Sequence, residues 1–138
     1  MTNPLILPFK TIKLAFMKHL ISIVEIPVID FERAVTFYNS VLGVNIEKID
    51  MDGTLMGIFL SDEESTNVCL IKDENAQPSA NGTMVYFNTE ADLQPVLERI
   101  EPNGGKILLP KTEISSEMGF FALFLDTEGN KIGLHSEK

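Results

Sequence analysis

The sequence is poor in positive charge, in cysteine and in long apolar runs. It has 11 Lys and Arg residues against 20 Asp and Glu, a formal net charge of −9, and no basic cluster. Because such a chain repels phosphate backbones, we do not expect it to bind nucleic acid. The single cysteine, Cys69, excludes an intramolecular disulfide and fits a cytoplasmic location. No run of 18 apolar residues is present, so the sequence predicts no membrane-spanning helix and no membrane partner.

The rest of the composition is that of one globular domain. The chain has 138 residues, of which 44% are hydrophobic and 22% charged. Residues 1–17 are apolar but are interrupted by prolines and lysines, and they lack the order of a secretory signal. We therefore expect residues 1–17 to be an extension outside the fold, or else an arm packed on the domain or on a partner. Residues 18–138 are predicted to form a single domain.

The first half of this domain reads as one strand, one helix and three strands. β-branched residues at 20–28 predict the first strand. Asp30 can cap a helix whose apolar residues recur at helical spacing until Gly43 stops it. Three short strands follow, near 44–50, near 54–60 and at 67–71.

The same order recurs about sixty residues later, which marks an internal repeat. A polar linker at 73–82 precedes it, and residues 110–119 read as a polar loop. The second set is a strand at 83–88, a helix within 91–105 with Pro95 in its first turn, and strands at 106–110, 120–126 and 131–135. The prediction is an α+β fold of two βαβββ modules, at 19–72 and 83–135. Neither half can bury its helix and sheet alone, so the two must share a core.

Three stretches of the sequence resemble the vicinal-oxygen-chelate superfamily of glyoxalase I, bleomycin-resistance proteins and extradiol dioxygenases. They are VIDFERAVTFYNSVLGV (28–44), LERIEPNGGKILLP (97–110) and FLDTEGNKIGLH (124–135). The resemblance implies curled sheets around a shared cup that holds a small molecule and is usually completed by a homodimer. It also implies that any metal ligands lie on the strands that open and close each module.

The resemblance further implies where those metal ligands would stand. The expected histidine seven residues before Asp30 is replaced by Ile23, and the glutamate of the first closing strand by Cys69. In the second module Thr83 replaces a histidine and Gly133 replaces a glutamate. One thiol and one hydroxyl are too few ligands for a divalent cation, so we expect no metal and no other cofactor. These four positions are instead expected to contribute to ligand binding.

Strand alternation points to two polar side chains in the cup. Val24, Ile26 and Val28 form an apolar face suited to the helices, which leaves Glu25 on the other face. By the same alternation Gly133 and His135 face the cup. Glu25 and His135 are thus candidate catalytic residues as a proton-transfer pair, or anchors for a polar ligand group. A solvated rim position for Glu25 and a strand-end position for His135 are the structural alternatives. Some Met and Phe side chains should line the cup, and Phe121 is a candidate ligand-binding residue.

Two classes of function remain open. The first is a metal-independent small-molecule-binding protein, like the bleomycin-resistance proteins, and the loss of the metal ligands favours it. The second is a glyoxalase-like enzyme of lyase, isomerase or dioxygenase type. Such an enzyme would use Glu25 and His135 as an acid–base pair, or would bind a metal at non-standard positions.

Overall fold

A computed structural model describes residues 19–138, and the predicted extension at 1–17 lies outside the described residues. The described chain folds into two halves with the same order of elements. The first half comprises β1 (Ile23–Pro27), α1 (Phe31–Leu42), β2 (Ile46–Met51), β3 (Thr54–Phe59) and β4 (Asn67–Lys72). The second comprises β5 (Tyr86–Asn88), α2 (Gln94–Glu98), a 3-10 helix (Glu101–Asn103), β6 (Lys106–Ser115), β7 (Gly119–Leu125) and β8 (Lys131–Ser136).

Each half contributes one four-stranded sheet, and the predicted α+β class is confirmed. The strand orders are β1-β4-β3-β2 and β5-β8-β7-β6, which are the same order in the two halves. In each sheet the opening strand pairs in parallel with the closing strand, and the other pairs are antiparallel. β1 and β5 are edge strands of different sheets and do not pair with each other. We call the boundary between these two edge strands the seam, and the sheets are not closed along it.

The first helix forms as its sequence predicts. Asp30 accepts a hydrogen bond from the backbone N–H of Arg33 at 3.1 Å, and Gly43 ends the helix with a φ of 68°. The apolar stripe of α1 is buried and comprises Phe31, Ala34, Val35, Phe37, Tyr38 and Val41. This stripe holds the helix against both sheets.

The second half departs from the prediction in three places. The strand expected at 83–88 begins only at Tyr86. The helix expected within 91–105 is only five residues of α-helix, followed by a 3-10 turn. Pro102 has no N–H to continue the helical ladder, and it disfavours helical geometry in the residue before it. The loop expected at 110–119 is wrong, because β6 continues to Ser115 and only a tight turn separates it from β7. The polar residues of β6 pair with the aromatic strand β7, and the register of this pairing shifts at several points along β6.

One hydrophobic core joins the halves, as the repeat predicts. The ring of Phe37 on α1 lies 6.1 Å from that of Phe124 on β7. Phe59 and Phe87 stack across the halves with centroids 5.8 Å apart and an interplanar angle of 5°. Ile26 and Leu134, assigned to the helix side by strand alternation, are buried in this core. No helix within residues 19–138 is long and apolar enough to cross a membrane.

Candidate functional site

The two modules are held together by the acidic turn between β7 and β8. The Glu128 carboxylate accepts hydrogen bonds from the backbone N–H groups of Ile29 (2.9 Å) and Asp30 (2.7 Å) at the start of α1. Arg33 adds an ion pair at 2.8 Å, and the Glu128 side chain is fully buried. Burial alone would raise the Glu128 pKa, but the hydrogen bonds from Arg33, Asp30 and Thr127 lower it to about 2. Glu128 is therefore a buried, ionised link between the modules.

Asp126 and Asn130 complete the same link. The buried hydroxyl of Tyr38 donates to Asp126 at 2.6 Å, and burial beside this carboxylate raises the pKa of Tyr38 well above its usual value. Asn130 donates from Nδ2 to the carbonyl of Pro27 at 2.7 Å and accepts from the N–H of Ser79 at 3.0 Å. Together, Tyr38, Asp126 and Asn130 fix the end of β1 beside the start of β8. We did not predict from the sequence that this turn links the modules. The signal was present, because three side chains able to accept hydrogen bonds, Asp126, Glu128 and Asn130, surround the glycine at 129.

The candidate site lies on what we call the cup face, the face of each sheet turned away from the helices. On the first sheet Ile23 is 61% exposed, and Glu25 is exposed directly opposite Cys69. Cys69 is only 4% exposed, and its pKa is raised first by burial and then by the charge of Glu25. A buried thiol held in its neutral form is a poor nucleophile and a poor metal ligand.

On the second sheet the space left by Gly133 is filled by an aromatic ring. Tyr86 on β5 pairs with Gly133 on β8. A Cβ atom on Gly133 would lie 2.8 Å from Cγ of Tyr86 and closer still to Cδ2, so the ring covers the glycine directly. Tyr86 remains 48% exposed, and its ring lies 6.4 Å from that of Phe121, which is partly buried. Sequence reasoning found Gly133 and Phe121 but missed Tyr86, because cross-strand register decides which side chain fills the gap.

His135 lies opposite Phe121 and is tied to the turn between β6 and β7. Its Nε2 atom is 2.6 Å from the carbonyl oxygen of Met118. Because a carbonyl only accepts, Nε2 carries the proton, and Nδ1 is the ring nitrogen left for other partners. Glu25 belongs to the other sheet, and within residues 19–138 no hydrogen bond or ion pair joins it to His135. The two candidates therefore face the cup as separate groups.

Thr83 lies outside β5, in the exposed segment that precedes it. Glu25 pairs with Cys69 in the first sheet, and Tyr86 pairs with Gly133 in the second, so Glu25 and Tyr86 occupy corresponding positions in the two modules. Ile23 lies two residues before Glu25. By register the counterpart of Ile23 is thus Met84, and Thr83 is one residue away from it. Thr83 and Glu25 line a cleft of about 50 Å³ where the two modules meet.

The family's metal does not fit these residues. Ile23 and Gly133 carry no ligand atoms, Cys69 is buried and neutral, and Thr83 offers only a hydroxyl. Within the described part of the chain, no three His, Cys, Asp or Glu side chains are grouped as a metal site would require. The arrangement is suited to holding an organic ligand through apolar contacts and a few polar groups.

Comparison with known proteins identifies the family. A sequence model of the Glyoxalase/Bleomycin resistance protein/Dioxygenase superfamily matches residues 19–134. The chain belongs to this superfamily. A glyoxylase-like domain-containing protein from Didymella fabae is 30% identical over 114 residues, which are 80% of this chain and 88% of that protein.

Solved structures of this superfamily share the fold. A glyoxylase/bleomycin resistance protein/dioxygenase domain from Frankia sp. superposes with a TM-score of 0.69 at 17% identity, covering 87% of this chain and 98% of that one. A fosfomycin resistance protein from Listeria monocytogenes gives 0.64 at 18% identity, covering 88% and 96%. A glyoxalase I variant from Zea mays gives 0.64 at 23% identity and covers 84% of this chain. The chain spans only 46% of that maize enzyme.

In this superfamily member, Gly133→Ala should drive the Tyr86 ring off the cup face. The new Cβ cannot share the space of the ring, and the half-exposed ring is free to swing outward. The chain has two tyrosines, so NMR of labelled tyrosine rings separates Tyr86 from the buried Tyr38. We expect the Tyr86 signals to shift and those of Tyr38 to stay.

The matched control is Gly82→Ala, since an added Cβ at Gly82 meets only Ser79 Oγ at 3.9 Å. Neither tyrosine should respond to it. Unchanged Tyr86 signals in Gly133→Ala would contradict the described position of the ring.

Proposed function

We propose that the protein is a metal-independent small-molecule-binding member of its superfamily. The observation that carries this proposal is the Tyr86 ring over Gly133, at the position where the family resemblance expects a metal-binding carboxylate. The carbon face of this ring fills the space in which the carboxylate side chain would begin. A ligand would therefore be held by apolar contact with this ring and not by coordination to a metal ion.

The exposed apolar side chains on the cup face support the proposal. Ile23 is 61% and Tyr86 48% exposed, and Phe121 and Leu123 are partly buried beside them. Such surface is costly to leave in water, at roughly 25 cal/mol for each Å² of apolar area. A bound ligand would cover it, and Glu25 and His135 at its margins would orient the ligand's polar groups.

We also propose that the working unit is a homodimer. The seam between β1 and β5 is unclosed, and exposed Leu20, Ile21 and Ile23 lie along it or just before it. A second copy would cover these side chains and deepen the cup. Light scattering at micromolar concentration should give twice the chain mass, and a monomer would contradict this proposal. A cytoplasmic location stays a prediction from the single cysteine.

An anilinonaphthalene sulfonate dye tests the proposed binding function. We expect saturable binding to the wild-type protein, and Phe121→Ala should weaken it by about fivefold, because one aromatic contact contributes on the order of 1 kcal/mol. Ile29→Ala is the matched control, since Ile29 is 59% exposed but lies outside the sheets. Binding that is weakened equally by both variants, or that is absent from the wild type, would contradict the proposal.

The enzyme alternative is tested by Glu25→Gln and His135→Ala. Under the binding proposal each variant changes affinity for a ligand, and neither abolishes a chemical reaction. His135→Ala also removes the hydrogen bond to Met118, which should lower stability by about 1 kcal/mol. Turnover of an α-ketoaldehyde–glutathione adduct by the wild type and its loss in both variants would establish the enzyme instead.

A further inference from the structure

Two residues of opposite charge that do not pair with each other line the cleft where the modules meet. They are Glu25 from β1 and Lys131 from β8, and Ser79 and Thr83 line the same cleft. The cleft volume of about 50 Å³ has room for a few water molecules or one small polar group. It therefore has the size of a ligand's head group and is too small for a whole ligand.

Both charges lack an ionic partner within the described residues. The ion pairs found there are Arg33–Glu128, Lys48–Glu32 and Lys111–Asp92, and none involves Glu25 or Lys131. A simple anion in the cleft would be repelled by Glu25, and a simple cation would be repelled by Lys131. A group that carries an ammonium and a carboxylate on the same carbon atom is complementary to both.

The aromatic part of the cup face begins next to this cleft. Gly133, covered by the Tyr86 ring, is two residues from Lys131 on the same face of β8. Two residues of strand span roughly 6.6 Å, which is comparable with the length of an aromatic α-amino acid from its carboxylate to its ring. Leu125 and Leu123, opposite Lys131 and Gly133 on β7, make the path between the cleft and the ring apolar.

We propose that the protein binds an aromatic α-amino acid. Its ammonium group contacts Glu25, its carboxylate contacts Lys131, and its ring lies on Tyr86 beside Phe121. This inference rests on the proposed binding function and adds the chemical class of the ligand. The offset and edge-on geometries that aromatic rings favour give the planar side chain an advantage over an aliphatic one of equal size.

Calorimetric titration with four probes tests the head group and the ring separately. L-phenylalanine should bind at least tenfold more tightly than 3-phenylpropanoate, which lacks the ammonium, and than 2-phenylethylamine, which lacks the carboxylate. It should also bind several-fold more tightly than L-cyclohexylalanine, whose ring is saturated. Equal affinity for the first three probes would overturn the inference.

Two charge variants assign each contact. Glu25→Gln should weaken L-phenylalanine about tenfold without weakening 3-phenylpropanoate, and Lys131→Gln should weaken both of these probes without weakening 2-phenylethylamine. Glu117→Gln and Lys72→Gln make the same charge changes at exposed positions outside the cleft and should change no affinity. Thermal melts verify that each variant is folded, which is expected because neither Glu25 nor Lys131 makes an ion pair.

The dye titration separates failure of this inference from failure of the proposed function. If the dye binds to the cup and L-phenylalanine does not bind, the amino-acid inference is wrong and the binding function stands. If neither binds to the folded wild type, both are wrong. Tenfold selectivity for L-phenylalanine that is lost in Glu25→Gln and in Lys131→Gln establishes the inference.

Discussion

Replacing Glu128 by glutamine should lower the free energy of unfolding by about 3 kcal/mol at pH 7. The estimate comes from the Glu128 pKa, which falls from 4.5 to about 2 in the folded protein, at roughly 1.4 kcal/mol for each pH unit. Glutamine keeps one acceptor for the N–H groups of Ile29 and Asp30, but its amide places donor hydrogens against Arg33. Urea denaturation of both proteins measures the difference.

The pH dependence follows from the direction of the same pKa shift. Because the folded-state pKa is below the unfolded value, the stabilisation is fully present above pH 4.5. It is lost as the pH falls from 4.5 to about 2, where Glu128 becomes protonated in the folded protein as well. Glu128→Gln lacks this component, so the stabilities of wild type and variant should converge toward pH 2.

Glu32→Gln is the control for this prediction. Glu32 forms an ion pair with Lys48, but its side chain is 69% exposed. Exposed pairs contribute little, so the variant should match the wild type across the pH range. A Glu128→Gln protein as stable as the wild type at pH 7 would contradict the role of Glu128 as the link between the modules.

Replacing Gly119 by alanine should lower the free energy of unfolding by about 3 kcal/mol, through backbone strain and overpacking together. Gly119 begins β7 with a φ of 81°, which side chains disfavour. An added Cβ would lie 2.7 Å from Cα of Glu137 and closer still to the carbonyl oxygen of Ser136. Because these are backbone atoms, the end of β8 has to move. Chemical denaturation measures the loss.

The control variant separates the two causes of that loss. Gly53→Ala places alanine at a φ of 95° in the hairpin between β2 and β3, with nothing within 4 Å of the new Cβ. It should therefore cost only the strain, about 1 kcal/mol. Equal losses in the two variants would contradict the close approach of β7 and the end of β8. Gly119→Ala should also disturb His135, since Met118, whose carbonyl accepts its hydrogen bond, is the preceding residue.

The fold could be predicted from the sequence because its signals are local and are repeated. The alternation of Val24, Ile26 and Val28 was enough to assign the two faces of β1, and Asp30 and Gly43 were enough to bound α1. The helix within 91–105 was predicted, but its early end was missed, because apolar spacing alone does not show the backbone hydrogen bond that Pro102 cannot make. The strand at 106–110 was predicted, but its continuation to Ser115 was missed, because these polar residues gain their strand geometry from pairing with β7.

The candidate site was less accessible from the sequence because it depends on contacts between distant residues. Gly133 could be recognised as a gap, but only the parallel register of β5 and β8 brings the Tyr86 ring over it. The role of Glu128 could not be predicted from the sequence, because its partner Asp30 at the start of α1 lies 98 positions away along the chain. Lys131 could not be predicted as a site residue either, because only the folded structure brings β8 close to β1, where Lys131 and Glu25 line the same cleft.

The most direct test of a metal-independent binding cup is one binding isotherm recorded twice. The dye is titrated into chelator-treated protein, and the titration is repeated after Zn²⁺ or Ni²⁺ is added in excess. We expect the same dissociation constant in both titrations, because Ile23, Cys69, Thr83 and Gly133 provide no set of metal ligands. Binding that appears only after the metal is added, with one ion held per chain, would contradict it.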